Sequence, residues 1–586
     1  MKKRILIGTD SFEKIIKGNF FYVDKTLFIK ELLENKGEVT LITRPRRFGK
    51  TMNMSMLRHF FDVSRDSKAL FAGLKIMEHA DIVATHLNKY PVISLTLKDV
   101  EERTYKSCIK SLSGLVAEIY RQNRYLYESD RLNQEQKDVF YTLLSGKSTE
   151  EELKSALKFL TECLYTYYQK RVIILLDEYD APINNALMEG YYTDMIEFMR
   201  RFLGSVFKSN DYLEFGVLTG VQRIAKEGLV SSFNNPKVCG IMSKFFTTCF
   251  GFTEEEVKDA CRMYELGDMF EKVESWYNGF RFGGQAMYNP WSITGYLDEK
   301  KFKDYWVNTG SMEILEGIFF KGSLSLKNEI AGLLTNKPII MTYVEHIRYP
   351  ILYDSDDIFW SMLLNSGYIK PCEGATGDRF YAELVNREVR NIFDTCIRSW
   401  FSRQQDNSPK IIRQFVACLL NGDKEGVSDI LNNELLNTPS YYDLKEENSY
   451  HMFIFGILLA VSNDYIVYSN PESGKGRSDC LIKPIDKAKY AIVIEFKHSR
   501  GEPMCSPPKS DPASPPSQIT EILKSEAQKG LLQIEEKAYI HNLKREGYER
   551  IHKYCIAFHK KNCEVAMMSD ANSINLTFLE NEAQKF

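Results

Sequence analysis

Five consecutive apolar residues, Val172-Ile-Ile-Leu-Leu176, run straight into the paired carboxylates Asp177 and Glu178. A strand that is apolar on both faces must be covered on both faces, which is the situation of parallel sheets in α/β proteins. A carboxylate at its carboxyl end sits where such a sheet opens its ligand crevice. Two further runs, Glu38-Val-Thr-Leu-Ile-Thr43 and Leu213-Glu-Phe-Gly-Val-Leu-Thr219, read as strands, and the segments 151–168 and 193–208 between them carry apolar residues at helical spacing. Strands alternating with helices predict a parallel, doubly wound sheet.

The first of these strands opens into Arg44-Pro-Arg-Arg-Phe-Gly-Lys-Thr51 and then a helix-like stretch from Met52 to Phe61. A phosphate-binding loop needs this strand, loop, helix order. Backbone N–H groups of the loop and helix start cradle phosphates, the Lys50 ammonium neutralises β- and γ-phosphate charge, and the Thr51 hydroxyl reaches Mg²⁺. The ordinary pattern opens with glycine where Arg44 stands, because glycine permits positive φ and close backbone approach. Asp177 is then expected to hold Mg²⁺ through its water shell, and Glu178 to polarise the attacking water. Thr219, followed by Gly220-Val-Gln-Arg223, lies where a sensor strand would end. Thr219 would read the γ-phosphate and Arg223 stabilise developing charge, unless the two form an ordinary strand-to-loop turn.

At 586 residues the chain exceeds a single hydrophobic core, and about three or four units are expected. A 44% hydrophobic and 26% charged composition speaks for a globular chain and against a disordered or fibrous one. With a net charge of −3, any nucleic-acid surface has to be a local basic patch. The basic N-terminus is interrupted by Gly8, Asp10 and Glu13 before a signal-peptide core could form, and the longest apolar stretch, 452–461, falls short of the ~20 residues of a membrane span. Twelve cysteines scattered from Cys108 to Cys563, without one Cys-x-x-Cys pair, argue against a zinc ribbon or a disulfide scaffold. The expectation is a soluble protein, cytoplasmic or otherwise intracellular, with reduced thiols and no membrane contact.

The C-terminal part carries a second constellation. Glu447 and His451 lie one turn apart on an amphipathic helix pattern that ends at Leu459. A strand at 465–469 follows, then the turn Gly474-Lys-Gly-Arg-Ser-Asp479, then the apolar strand Tyr490-Ala-Ile-Val-Ile-Glu-Phe-Lys497. Glu495 and Lys497 are two residues apart and share one face, with Phe496 on the other. With Asp479 alongside, two carboxylates can chelate Mg²⁺ while Lys497 orients or deprotonates the water that attacks a phosphodiester. A surface ion pair between Glu495 and Lys497 is the plainer alternative. The Pro/Ser-rich segment 501–517 reads as a mobile loop.

Tyr22-Val-Asp-Lys-Thr26, Thr43-Arg-Pro-Arg-Arg-Phe-Gly-Lys-Thr51, Leu176-Asp-Glu-Tyr-Asp180, Thr219-Gly-Val-Gln-Arg223 and Trp276-Tyr-Asn-Gly-Phe280 together resemble the AAA-ATPase-like domain of large multidomain proteins, across residues 1–310. An arginine at the loop opening is usual in that family. The resemblance implies ATP and Mg²⁺ as cofactors, with Arg46, Arg47, Phe48, Gly49, Lys50, Thr51, Asp177 and Thr219 at the nucleotide, and a helical lid that includes the helix start at Thr253.

The order Glu447, Asp479, Glu495-x-Lys497 resembles the PD-(D/E)xK nuclease superfamily over residues 445–565. It implies Glu447, Asp479 and Glu495 as metal ligands beside Lys497, with Gln533 and Tyr539 on a following helix. The expected architecture is an α/β multidomain chain. A P-loop NTPase domain with a parallel sheet (1–245) and helical lid (246–310) precedes a helical connector with a winged-helix-like unit (311–440) and a restriction-endonuclease-like α/β/α nuclease domain (441–586). The expected work is ATP binding and hydrolysis coupled to Mg²⁺-dependent cleavage of nucleic acid, with DNA the first candidate. The competing reading is a nucleotide-operated switch or adaptor whose C-terminal domain binds nucleic acid or a partner without cutting. A homo-oligomer is a further expectation, since ATPases of this type often borrow an arginine from a neighbour.

Overall fold

A computed structural model of the chain describes residues 2–224, 236–306, 324–334, 336–345, 355–372, 377–393, 409–435, 454, 458, 465–469, 472–473, 476–498, 516–537, 539–559 and 562–569. Two compact units emerge, one built from Met1–Gly310 and Ile340–Arg390, the other from Ser311–Ile339 and Asn391–Phe586.

The first unit is organised by five parallel strands: β1 (Val39–Thr43), β2 (Val92–Thr96), β3 (Val172–Asp177), β4 (Leu213–Gly220) and β5 (Lys237–Cys239). Their order is β2-β3-β4-β1-β5. All of β1 and β3 is buried, as runs without polar alternation require. The helices Lys50–Phe61, Glu150–Tyr168 and Tyr192–Phe207 pack against the sheet. Register is what positions the chemistry. β4 lies between β1 and β3, pairing Ile42 with Thr219 on one side and Leu176 with Leu218 on the other, so the ends of the three strands come level.

The same unit continues into the helices Glu254–Met263, Phe270–Tyr277 and Pro290–Glu299, with the hairpin β6 (Phe280–Phe282) and β7 (Gln285–Met287). Thr253 caps the first of these helices reciprocally with Glu256, as its position before an acidic turn predicts. The aromatic residues of this stretch form a core of their own around Tyr264, Tyr277, Tyr288 and Tyr296. Residues 340–390 add β8 (Ile339–Thr342), the helix Asp356–Ser366 closed by Gly367, and the antiparallel pair β9 (Ile369–Pro371) and β10 (Arg379–Leu384).

In the second unit, β11 (Tyr465–Ser469), β14 (Cys480–Pro484), β15 (Ala491–His498), β16 (Ile551–His559) and β17 (Asn562–Ser569) form one mixed sheet, preceded at its turn by the short pair β12 (Glu472–Ser473) and β13 (Gly476–Arg477). Only β15 and β16 are parallel. The helix Pro516–Glu536 covers one face, where Leu523 and Ala527 meet Ala557. The helix Pro409–Asn421 covers the opposite face, where Tyr554 donates from its hydroxyl to the Leu419 carbonyl. Alternation of side chains along β16 puts Ala557 and Tyr554 on these opposite faces, and the result is an α/β/α sandwich. Among the described residues no helix is long and apolar enough to cross a membrane.

Candidate functional site

At the level ends of β1, β4 and β3, three side chains expected at the nucleotide meet. Thr51 Oγ1 donates to Asp177 Oδ2 at 2.6 Å, and Thr219 Oγ1 donates to Asp177 Oδ1. The insertion of β4 between the other two strands makes this possible. Gly49, at φ +81, turns the chain into the helix that begins at Lys50, a conformation that disfavours a Cβ. Lys50 is buried and folds back on its loop, donating to the carbonyls of Arg44 and Pro45 at 3.1 Å each. Burial pulls its ammonium below the usual lysine range, against the attraction of Glu178, Asp177 and Asp180. Glu178 has left-handed backbone at φ +51, and burial pushes its carboxyl up, against Lys50.

The arginine at the loop opening is accounted for by its contacts. Arg44 is fully buried and donates to the carbonyls of Thr43, Cys239, Gly240, Phe245 and Phe246 at 2.8–3.3 Å. Its side chain ties the loop to the end of β5 and the following turn and leaves the cradle unobstructed. Phe48 lines the cleft as a largely buried residue. Its ring packs against Phe280 and Phe282 at 4.8 and 5.1 Å. Arg223 is paired with Glu345 at 2.7 Å and is engaged away from Asp177. A cleft of about 420 Å³ opens over the loop. Arg46 through Asn53, Lys98 and Glu178 line it, together with the apolar Ile5, Ile7, Phe21, Phe252 and Trp291. A threonine hydroxyl beside a carboxylate is the hard-oxygen donor set that suits Mg²⁺.

Several further residues hold this site through contacts that the sequence does not show. Asp180 accepts from the backbone N–H of Val221 and Gln222, both at 2.9 Å, and so fixes the turn after β4. Lys25 of the Tyr22–Thr26 motif pairs with Glu256 at 2.6 Å, tying that segment to the helix Glu254–Met263. Trp306 Nε1 and Asn289 Nδ2 both donate to the Arg46 carbonyl. Asn289 had a local cue, since Asn before Pro is a helix-start signal.

The second constellation assembles on β15. Glu495 and Lys497 share the face turned to the helix Pro516–Glu536, and Phe496 points the other way, against Phe558. Pairing of β14 with β15 stops at Cys480 and Ile494. Beyond it the Asp479 carboxylate takes over, accepting the Phe496 N–H at 2.6 Å. Asp479 is therefore fastened to the backbone between Glu495 and Lys497. Lys497 Nζ lies 3.2 Å from Glu495 Oε1 and 2.7 Å from Gln533 Oε1, and the Gln533 amide donates in turn to Glu495. Burial alone would lower the Lys497 ammonium; Glu495 outweighs it and the net shift is upward.

Gln533 stands on the helix as expected, whereas Tyr539 lies in the turn after it, receiving a hydrogen bond from Gln533 at 3.3 Å. Among the described residues no three metal-ligating side chains come together. Glu447, His451 and the segment 501–515 lie outside the described residues. The two carboxylates Asp479 and Glu495 are hard-oxygen donors of the kind that suit Mg²⁺, which keeps several waters of its own.

Residues 6–230 match the family model described as predicted AAA-ATPase, and residues 445–567 match that of the PD-(D/E)XK nuclease superfamily. An uncharacterized protein in the vnfD 5′ region of Azotobacter chroococcum mcd 1 is 30% identical over 322 residues, covering 54% of this chain. The chain spans about half of that relative's length, 55%. The polypeptide thus joins an AAA-ATPase-like segment to a PD-(D/E)XK nuclease superfamily segment.

Proposed function

We propose that this protein is an ATP-binding ATPase coupled to a Mg²⁺-dependent nuclease that hydrolyses phosphodiester bonds in nucleic acid, DNA first. The observation that carries the nuclease half is the Asp479 carboxylate on the Phe496 N–H, which groups Asp479, Glu495 and Lys497 on one strand end. The web of Thr51, Thr219 and Asp177 supports the nucleotide half.

In the nucleotide cleft, Lys50 would exchange its two loop carbonyls for the β- and γ-phosphates, Glu178 would orient the attacking water, and the apolar wall with Trp291 would receive the base. Thr51 and Asp177 would hold the magnesium ion. In the nuclease site, Asp479 and Glu495, with Glu447 as the third expected ligand, would hold the metal. Bound there, Mg²⁺ supplies charge neutralisation and a more acidic water. Lys497, kept as an ammonium by Glu495, would orient the attacking water and stabilise the charge that builds on the phosphorane. Gln533 holds Lys497 in place from the helix.

The test is incubation of the purified chain with circular and single-stranded DNA and RNA, with Mg²⁺ and with or without ATP. Cleavage that disappears in Asp479→Ala is expected. No cleavage of any substrate under any condition would instead favour a nucleotide-operated switch or adaptor.

A further inference from the structure

Glu388 lies in the first turn of the helical stretch 387–393 and is 0% exposed. Its Oε1 accepts the backbone N–H of Trp306 at 2.6 Å, and its Oε2 accepts the Ser292 hydroxyl at 2.7 Å. Both partners adjoin the indoles that grip the phosphate-binding loop. Trp306 Nε1 donates to the Arg46 carbonyl at 3.2 Å. Trp291, next to Ser292, carries the Arg47 guanidinium over its ring at 4.3 Å. Asn289, whose side chain caps the helix Pro290–Glu299, donates to the same Arg46 carbonyl at 3.4 Å.

The loop needs such a grip. Arg47 sits at φ +67, a region uncommon for a residue with a Cβ, and conformations of that kind persist where the surroundings over-determine them. One cation–π contact and two hydrogen bonds over-determine Arg46 and Arg47. A buried acid, in contrast, is a poor way to stabilise a core, since apolar replacements of buried charged groups are often neutral or better. What Glu388 supplies that an apolar residue cannot is a fixed position for two donors on either side of the loop.

We propose that Glu388 is a positioning residue of the nucleotide site: by holding Trp306 and Ser292 it sets the indoles that fix Arg46 and Arg47, and through them the loop geometry that receives phosphates. The inference rests on the nucleotide reading above. Glu388 touches no nucleotide itself.

The experiment is MgATP titration by calorimetry on the full chain, at a temperature where circular dichroism reports each variant folded. Glu388→Met, which keeps the volume and removes both acceptors, is expected to weaken MgATP about five- to tenfold, the scale of one or two lost hydrogen bonds. Trp306→Phe, which removes the indole donor and keeps an aromatic ring, should weaken it by a similar factor, and the double variant by no more than the larger single effect. Glu388→Gln retains an acceptor for Trp306 and is expected to restore affinity to within about twofold of the unaltered chain. Wild-type affinity in both Glu388→Met and Trp306→Phe, or full additivity in the double variant, overturns the proposal. Should Glu388→Met fail to fold, Trp306→Phe and Glu388→Gln still decide it, because a loss in the first with rescue in the second is the required pattern. Lys50→Ala separates the two levels: if the unaltered chain binds no MgATP, or binds it as Lys50→Ala does, the nucleotide reading falls and this proposal with it.

Discussion

Each candidate site contains one lysine, and the chain treats the two oppositely. Lys50 is buried against neutral carbonyls of its own loop, with Glu178, Asp177 and Asp180 acting on it only at a distance, and burial lowers its ammonium. Lys497 is bonded directly to Glu495, and its ammonium is raised. A cation held by carbonyls gains when an anion arrives, because a charge replaces dipoles. A cation already paired gains little from a further anion unless its partner is drawn off, and a metal on Glu495 would do that. On the proposed function, the first lysine is arranged to bind and the second to be held still until metal and substrate arrive.

Substitution of both lysines by methionine breaks this comparison most directly. Lys497→Met should reduce Mg²⁺-dependent cleavage by about two to three orders of magnitude, the scale of losing one preorganised charge donor. It should also lower the melting temperature, because Glu495 is only 4% exposed and loses its counter-ion. Lys50→Met should weaken MgATP by about a hundredfold or more yet leave the melting temperature of the nucleotide-free chain unchanged or higher, since it removes a buried charge that has no direct ionic partner among the described residues. Equal stability losses in the two variants would erase the distinction.

The two sites also differed in how much of them could be read in the sequence. β3 and β15 announced themselves, because a buried strand is written as an apolar run and a polar residue at its end stands out. The same-face placement of Glu495 and Lys497 followed from period-two geometry alone. The role of Arg44 was legible only as a departure from glycine. Its five carbonyl partners lie one residue before it and 195 to 202 residues further along the chain, and no local pattern encodes them. The packing of Phe48 was unreadable for the related reason that an aromatic in a ligand loop and an aromatic anchoring that loop look alike until Phe280 and Phe282 are brought against it. Glu388 and Trp306, and the reach of Asn289 to the loop, were invisible because hydrogen bonds across 82 to 260 residues have no period.

Proton linkage sharpens the contrast on the nucleotide side. Burial pushes the Glu388 carboxyl up to about 7 from the usual 4.5, with Asp304 adding to the shift and the Trp306 N–H and Ser292 hydroxyl opposing it; the hydroxyls of Tyr277 and Tyr305 also interact with it. A folded value above the unfolded one means that the folded chain keeps a proton which the unfolded chain has released. Its contribution to stability is complete below about 4.5, falls as pH rises to about 7, and is then gone. Glu388→Gln should remove that slope. Thermal unfolding followed at a series of pH values should show the unaltered chain losing about 3 kcal/mol more than Glu388→Gln across the window. Parallel profiles would mean that the acid is solvated.

The smallest effect belongs to the nuclease side and concerns how closely its helix presses on the strands. Gly530 lies on the helix Pro516–Glu536, and a Cβ there would stand 2.1 Å from Cys555 Sγ, 3.1 Å from Cys555 Cβ and 3.5 Å from Lys497 Cε. In an open helix, glycine to alanine stabilises by about 1 kcal/mol. Here the added methyl must move either the Cys555 side chain, on the strand beside Glu495, or the whole helix, and overpacking of this kind costs about 1–3 kcal/mol. Gly530→Ala should therefore destabilise by about 1 kcal/mol net. Helix displacement would also carry Gln533 away from Lys497 and reduce cleavage about tenfold, as loss of a partner behind a metal site does. Pairing it with Cys555→Ala gives the decisive reading, because removing the sulfur opens the space the methyl needs. Stability and cleavage that both return in the double variant would show that the helix has to lie this close for Gln533 to reach the site, whereas a stabilised Gly530→Ala single variant would show that it does not.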